Sequence, residues 1–202
     1  MAIDRNELEP RFKFEVAELP EGKHVKKCYA CGSCTGTCPV SQVIPEFDPR
    51  KILHMIILGL KNRLLSSDLI WYCTGCQACK VVCPQDVSFS DVIKALRILA
   101  LRDGYVNAQT LSEMGKLAVV NEKHCVGCLT CVRVCPFDAP SMKMESGIAY
   151  IEPVKCVACG ICVAECPAKA IELKTSEDVK RFASCEFLLS REHNHSATDS
   201  HR

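Results

Sequence analysis

Sixteen of the seventeen cysteines in this chain fall into four copies of one pattern, C-x2-C-x2-C-x3-C-P. The copies are Cys28, Cys31, Cys34 and Cys38 with Pro39; Cys73, Cys76, Cys79 and Cys83 with Pro84; Cys125, Cys128, Cys131 and Cys135 with Pro136; and Cys156, Cys159, Cys162 and Cys166 with Pro167. This spacing suits a 4Fe-4S cubane, in which three closely spaced thiolates cap three irons and the fourth reaches across to another cluster. Two residues between ligands let a tight loop wrap one corner of the cubane, its backbone N–H groups turned toward sulfur. Three residues then begin a helical turn that carries the fourth cysteine away, and the proline marks a change of chain direction. Small residues inside the loops, Gly32-Ser33, Gly75, Gly127 and Gly160, give the backbone freedom that close approach needs. The chemistry implied is one-electron transfer along a wire of four clusters.

Other uses of so many cysteines fit less well. Zinc sites usually pair C-x2-C units across a longer spacer, whereas here four cysteines lie within eleven residues, four times over. A disulfide framework calls for an exporting signal, yet Met1 to Lys27 carries Asp4, Arg5, Glu7, Glu9 and Arg11 where an apolar core should be. The 202 residues suffice for one or two small domains, and 48% apolar with 24% charged residues is ordinary for a folded soluble chain. That apolar share includes the cysteines, so clusters replace part of the core and the cluster-free protein is expected to fold poorly. The formal net charge of +1 counts every cysteine as neutral. With about 2− on each oxidised cubane and its four thiolates, the loaded chain comes to roughly −7. Neither balance shows a basic stripe for nucleic acid. The longest apolar run, Ile52 to Leu60, is too short for a direct membrane span. A reducing cytoplasm is the expected location.

The motifs are doubled at two different periods, 45 residues from Cys28 to Cys73 and 31 from Cys125 to Cys156, so the halves are not copies of one fold. In the C-terminal half, Leu117–Val120, Ser141–Met144, Ile148–Ile151 and Ile171–Lys174 are strand candidates around the third and fourth motifs, with a turn at Gly147. They predict a small antiparallel sheet over two clusters. Residues 115–176 closely resemble the bacterial two-cluster ferredoxin domain. The resemblance implies that Cys125, Cys128 and Cys131 share a cluster with Cys166, and Cys156, Cys159 and Cys162 share one with Cys135.

The N-terminal half lacks such strands. A helix is predicted after Asp48 as cap and Pro49 in the first turn, running through Ile52, Leu53, Ile56, Ile57 and Leu60. A second is predicted over Ser88 to Arg102, with Phe89, Val92, Ile93, Leu96, Leu99 and Ala100 at helical period and Gly104 at its end. Clusters held between helices describe an α-helical ferredoxin. Three stretches, Cys28 to Val40, Phe47-Asp-Pro-Arg-Lys51 and Trp71 to Pro84, resemble the C subunit of heterodisulfide reductase over roughly residues 10–105. That family implies crossed ligation, Cys28, Cys31 and Cys34 with Cys83, and Cys73, Cys76 and Cys79 with Cys38. It also implies a relay between a flavin-containing subunit and a catalytic one, such as heterodisulfide reductase-like A and B subunits. The chain departs from the family by its added ferredoxin half, and fused relays of this kind also resemble small subunits beside tungsten- or flavin-containing enzymes of anaerobes.

The fold class expected is therefore α+β: an N-terminal α-helical ferredoxin module (1–105) plus a C-terminal two-cluster, bacterial-type module (106–180), joined near Asp103 to Lys116. Residues 181–202 are read as an apolar helix and a disordered polar tail. No dinucleotide or phosphate-loop glycine pattern and no adjacent Cys-Cys pair occurs, so no catalytic residues are assigned. Lys26, Lys27, Lys80, Lys123, His124 and Lys155 flank the motifs, as solvated charges or as docking and tuning charges. His24, His54 and His124 are candidate hydrogen-bond donors to sulfur. Cys185 is read as a buried thiol, and Ile52–Leu60 and Phe182–Leu189 as apolar faces packed either between modules or against another subunit. The function expected is an electron-transfer subunit with four 4Fe-4S clusters in a heterodisulfide reductase-like complex. The alternatives are a free multi-cluster ferredoxin and the iron-sulfur subunit of a quinone-linked dehydrogenase. The last lacks support, since no cysteine precedes Cys28.

Overall fold

The computed structural model describes residues 8–173. In chain order the helices are α1 (Phe12–Glu18), α2 (Ser33–Gly36), α3 (Pro39–Val43), α4 (Pro49–Leu58), α5 (Lys61–Leu65), α6 (Ala78–Val81), α7 (Phe89–Arg102), α8 (Ala108–Glu113), α9 (Thr130–Val134) and α10 (Ile161–Ala164). The strands β1 (Val119–Val120), β2 (Pro140–Lys143), β3 (Ile148–Ile151) and β4 (Ile171–Glu172) all follow α8. The fold is thus mixed, rich in helix and poor in strand.

The two longer helices start where the sequence predicts, and α7 also ends at Arg102 as predicted, whereas α4 stops at Leu58, two residues short of the predicted Leu60. Asp48 caps α4 by accepting from Arg50 N at 3.0 Å and Lys51 N at 3.3 Å, Pro49 occupies the first turn, and Gly59 ends the helix in the left-handed conformation. Asp48 also accepts from Thr35 Oγ1 at 2.7 Å, which ties the first cysteine loop to the start of α4. Burial alone would raise the Asp48 pKa, but these donors outweigh it and hold the carboxyl below its ordinary value.

The apolar run of α4 is satisfied within the chain: Ile52, Leu53, Ile56 and Leu60 are buried, and only Leu58 is substantially exposed. Phe47 and Phe89 meet edge to face at 5.9 Å between centroids, and Phe47 meets Tyr72 at 6.5 Å. These rings join the entry of α4, the segment before the second motif and the entry of α7 into one core. Below it Lys61, only 12% exposed, pairs with Glu15 at 2.8 Å and Asp103 at 2.9 Å, joining α5 to α1 and to the end of α7. Desolvation would lower the Lys61 pKa, but the hydrogen bonds it donates to Glu15 and Asp103 raise it; Asp103 is held low by Arg102 and Lys61.

Two features differ from the sequence expectation. The strands form two separate two-stranded antiparallel ribbons, β1 with β4 and β2 with β3, instead of one sheet. Strands of two to four residues, interrupted by cysteine loops, are too short to extend into a common ladder. The segment from Asp103 to Lys116 carries α8, capped by Asn107 Oδ1 on Thr110 N at 2.8 Å and anchored by the fully buried Leu111. The two halves therefore meet through packed structure. Cys185, Phe182–Leu189 and the polar tail lie outside the described residues.

Asp48→Ala is expected to lower the unfolding free energy by about 1–2 kcal/mol through loss of the cap, read as a lower urea midpoint for bleaching of visible absorption. Lys61→Met should cost about 2–3 kcal/mol, because the partly buried Glu15 loses its cation and Asp103 keeps only Arg102. The raised Lys61 pKa keeps its contribution intact below its ordinary value of about 10.4. The depressed Asp103 pKa keeps that side intact above about 3.9. The difference between wild type and Lys61→Met should accordingly stay flat from pH 5 to 9 and shrink only as the pH falls through the Asp103 pKa.

Candidate metal centres

All four cysteine loops share one backbone signature. The second and fourth residues after the first cysteine have positive φ in every copy: Ala30 and Gly32, Gly75 and Gln77, Gly127 and Leu129, Ala158 and Gly160, with values from 55° to 86°. Left-handed turns at these two places curl the loop so that successive N–H groups face its interior. Ala30 N donates to Cys28 Sγ at 3.4 Å and Ala158 N to Cys156 Sγ at 3.5 Å. Glycine was legible as the residue for such turns. That Ala30, Gln77, Leu129 and Ala158 adopt them against their own steric preference was not.

Each loop runs into a one-turn helix, α2, α6, α9 or α10, that carries the third cysteine, and the fourth follows beyond its end. After the last three motifs the chain turns again through a left-handed residue, Asp86, Asp138 or Lys169. That turn lets Val87 N donate to Cys83 Sγ at 3.2 Å and Ala170 N to Cys166 Sγ at 3.3 Å. The first motif departs here, because Pro39 opens α3 directly. Hydroxyls add to these donors: Ser33 Oγ lies 3.4 Å from Cys31 Sγ and Thr130 Oγ1 3.4 Å from Cys128 Sγ, and both cysteines are pulled below their ordinary pKa chiefly by those contacts.

In the C-terminal half the cysteines line two cavities in crossed groups. One cavity, about 340 Å³ with its open mouth, is lined by Cys125, Cys128, Cys131 and Cys166; another, about 350 Å³, by Cys135, Cys156, Cys159 and Cys162. In each, three sulfurs come from one motif and the fourth from its neighbour. In the N-terminal half Cys83 lies within electrostatic reach of Tyr29 together with Cys31 and Cys28, while Cys73 feels Cys79 and Cys38. Neighbouring sets also touch: Cys34 feels Cys79, and Cys162 feels Cys131. Burial first, and then the charge of Cys28 on Cys34 and of Cys156 and Cys159 on Cys162, push these two thiols up to about 11. Gathered thiolates repel one another and await cationic iron. All sixteen motif cysteines are free of disulfides. Among the described residues no three His, Cys, Asp or Glu side chains close around a point as a single ion requires; the sulfurs line cavity walls instead. The donor set, the inward N–H groups and the cavity walls fit a cubane.

The candidate histidines stand elsewhere. His24 Nδ1 lies 2.9 Å from the Asp86 carbonyl oxygen and 3.3 Å from its carboxylate, bracing the turn after the second motif, and His54 is exposed. Among the flanking lysines, Lys155 pairs with Glu152 at 2.7 Å and Lys26 lies over the Phe14 ring. The sequence reading missed two polar residues at the sites. Ser90, buried at the start of α7, offers its N–H and hydroxyl to Cys79. Arg97, 3% exposed, donates to the carbonyls of Ile70 at 3.0 Å, Cys73 at 2.9 Å and Val154 at 3.5 Å. Arg97 was in principle detectable, because it falls on the same helical arc as Ile93 and Ala100.

Three family models match, each described as a 4Fe-4S dicluster domain, over residues 24–87, 117–167 and 72–139. The chain is 36% identical over 127 residues to the C2 subunit of the H(2)/formate:CoB-CoM heterodisulfide,ferredoxin reductase of Methanococcus maripaludis, covering 59% of this chain and 67% of that protein. The chain belongs to the family of heterodisulfide reductase C subunits. It is also 45% identical over 82 residues to the iron-sulfur C 2 subunit of the CoB--CoM heterodisulfide reductase of Methanocaldococcus jannaschii, covering 41% of this chain and 43% of that protein. The match to the corresponding iron-sulfur C subunit of Methanopyrus kandleri is 37% over 111 residues, 52% of this chain and 57% of the relative. The chain thus spans about half the length of these last two relatives. As in the family, the cofactors are 4Fe-4S clusters, and sixteen cysteines suffice for four.

Gly127 tests how tightly a loop is built. A Cβ there would sit 2.7 Å from the Gly147 carbonyl oxygen, in the turn between β2 and β3, at a φ of +66°. Gly127→Ala is expected to lose up to half of the chain's iron, measured as iron and sulfide per chain after anaerobic purification. Gly160→Ala, whose Cβ meets nothing within 4 Å, should keep its iron and cost about 1 kcal/mol from backbone strain alone.

Proposed function

We propose that the chain is the iron-sulfur relay of a heterodisulfide reductase-like complex, passing single electrons between a flavin- or metal-containing partner and another redox subunit. The observation that carries this reading is the repeated sharing of cysteines between motifs, which supports four 4Fe-4S sites in two adjoining pairs. The ligand sets proposed are Cys28, Cys31, Cys34 and Cys83; Cys73, Cys76, Cys79 and Cys38; Cys125, Cys128, Cys131 and Cys166; and Cys156, Cys159, Cys162 and Cys135. The first two sets make up an α-helical ferredoxin module within residues 1–105, and the last two a bacterial-type ferredoxin module within 106–180.

A 4Fe-4S cluster supplies an acceptor and donor of one electron at a time, with delocalised charge and little change of shape. The residues of the chain hold it still and set its charge environment. The curled loops present N–H groups to sulfur, Ser33 and Thr130 add hydroxyl donors, and each of these stabilises extra negative charge when an electron arrives. With four thiolates assigned to each cluster, no coordination position is left for a substrate, so bond-making chemistry falls to another subunit.

Partner subunits are favoured over a free shuttle by apolar side chains exposed beside the first pair of sites. Tyr29, Val43, Val81 and Val82 are all more than 40% exposed, and Val81 lies between Cys79 and Cys83. Among the described residues no helix is long and apolar enough to cross a membrane. The proposed setting is cytoplasmic, with heterodisulfide reductase-like A and B subunits or a tungsten enzyme as companions.

Anaerobic purification of the native assembly, with metals, sulfide and flavin counted and companions identified by mass, tests this reading. About sixteen irons and sixteen sulfides per chain, after subtraction of partner clusters, and co-purifying flavin-containing and catalytic subunits are expected. Zinc without sulfide would sink the assignment; full clusters on a lone monomer would move the function to a diffusing carrier.

A further inference from the structure

Arg97 lies in the middle of α7 and is almost wholly buried, with its guanidinium 5.2 Å from the Trp71 ring centroid. Its three hydrogen bonds all go to backbone carbonyls, and among the described residues no carboxylate lies within ion-pair distance of it. Removing a guanidinium from water without an anion is costly, because carbonyl dipoles replace only part of the lost hydration. The anionic groups it does feel are Cys73 and Cys156, cysteines of two different sets in the two halves of the chain. Two of its donors span the same gap, one reaching the Cys73 carbonyl and one the carbonyl of Val154, two residues before Cys156. Phe137, just after Cys135, closes the gap from the other side: a Cβ on Gly75 would lie 3.5 Å from its Cε1. A shared cavity between the halves is lined by Cys73, Gly75, Arg97, Phe137 and Val154, with Glu21, Lys94, Asp138 and Lys155 also on its wall but none of those acids paired with Arg97.

We propose that Arg97 is the fixed cation at the step where electrons cross between the two halves, and that this step joins the Cys38–Cys73–Cys76–Cys79 site to the Cys135–Cys156–Cys159–Cys162 site. The missing counter-ion of Arg97 is then the negative charge of these two clusters. The order of transfer that follows runs from the Cys28–Cys31–Cys34–Cys83 site, through these two, to the Cys125–Cys128–Cys131–Cys166 site, since Cys34 neighbours Cys79 and Cys162 neighbours Cys131. Crossing the junction oxidises one cubane by one electron and reduces the next by one; Arg97 stays protonated, so no proton moves. A buried positive charge favours the reduced form on both sides of the junction, raising both potentials together and lowering the barrier that mutual repulsion of two anionic clusters would set.

This inference rests on the relay reading above, and iron content separates the two. The test is a potentiometric titration, followed by electron paramagnetic resonance, of the full-length loaded protein, its Arg97→Gln variant and its Arg97→Lys variant. In Arg97→Gln with its full iron, two of the four clusters should show a reduced-to-oxidised ratio lower by about tenfold or more at fixed solution potential, which is 59 mV for a one-electron couple. Those two should broaden each other's signals when both are reduced. The other two should move by less than about threefold, and Arg97→Lys should hold all four near wild type. Unchanged potentials in Arg97→Gln, or an equal shift of all four, would overturn the proposal. Where Arg97→Gln loses iron, Arg97→Lys decides. Full loading with all midpoints kept supports a role for the charge, and a tenfold fall of the same pair despite the retained charge overturns it. An unaltered protein without four clusters would instead defeat the relay reading itself.

Discussion

The constraint on which the rest of the structure depends is that a cysteine motif does not complete a cavity by itself, as the two cavities of the C-terminal half display. The one-turn helix that follows each loop carries the fourth cysteine out of reach of the first three, so Cys166 lines the cavity of Cys125, Cys128 and Cys131, and Cys135 lines that of Cys156, Cys159 and Cys162. Each half must bring two distant loops together before either site exists. Helices α4 and α7 do this in the first half, through Phe47, Phe89 and Tyr72. In the second half, with little helix, the short ribbons do it: β1 pairs with β4, and β2 with β3, fixing the start of the domain against its end. Two unlike scaffolds answer one geometric demand.

The loops themselves are held under strain. Four non-glycine residues sit at positive φ inside the motifs, each costing of order 1 kcal/mol or more, and nothing in the local sequence favours that conformation. The compensation is electrostatic. Turned-in N–H groups and hydroxyls meet anionic sulfur, and the bound cluster holds the loop in a shape that the free peptide would leave. The raised thiol pKa values of Cys34 and Cys162 express the same tension before metal arrives: burial and crowding disfavour the thiolates that iron requires.

Charge is distributed with a similar economy. The lysines beside the motifs are exposed, Lys155 paired with Glu152 and Lys26 laid over the Phe14 ring, and they fit solvated charges better than cluster tuning. The cation that matters to the interior is Arg97, on the buried arc of α7. Its helix period places it inward, and the carbonyls of Ile70, Cys73 and Val154 hold it at the junction of the halves.

Much of the architecture was legible in the sequence because it is local. Cysteine spacing specifies loop, turn and exit around a cubane; Asp48-Pro49 marks the start of α4, and the period of Phe89 to Ala100 marks α7, whereas the end of α4 at Gly59 went unread. Strand positions were legible too, but not their separation into two ribbons, since pairing depends on chain segments more than 50 residues apart, Val119 with Glu172. Helix α8 was missed because its stability comes from burying Leu111, not from a long periodic pattern. The sequence by itself determined which cysteines are the candidate ligands and where each loop turns at its glycines, because those depend on spacing and steric freedom within a dozen residues. Only the tertiary structure decided which fourth cysteine lines which cavity wall, how the two halves meet and where the buried cation lies between them, because burial and electrostatics act through space on residues that the chain keeps far apart.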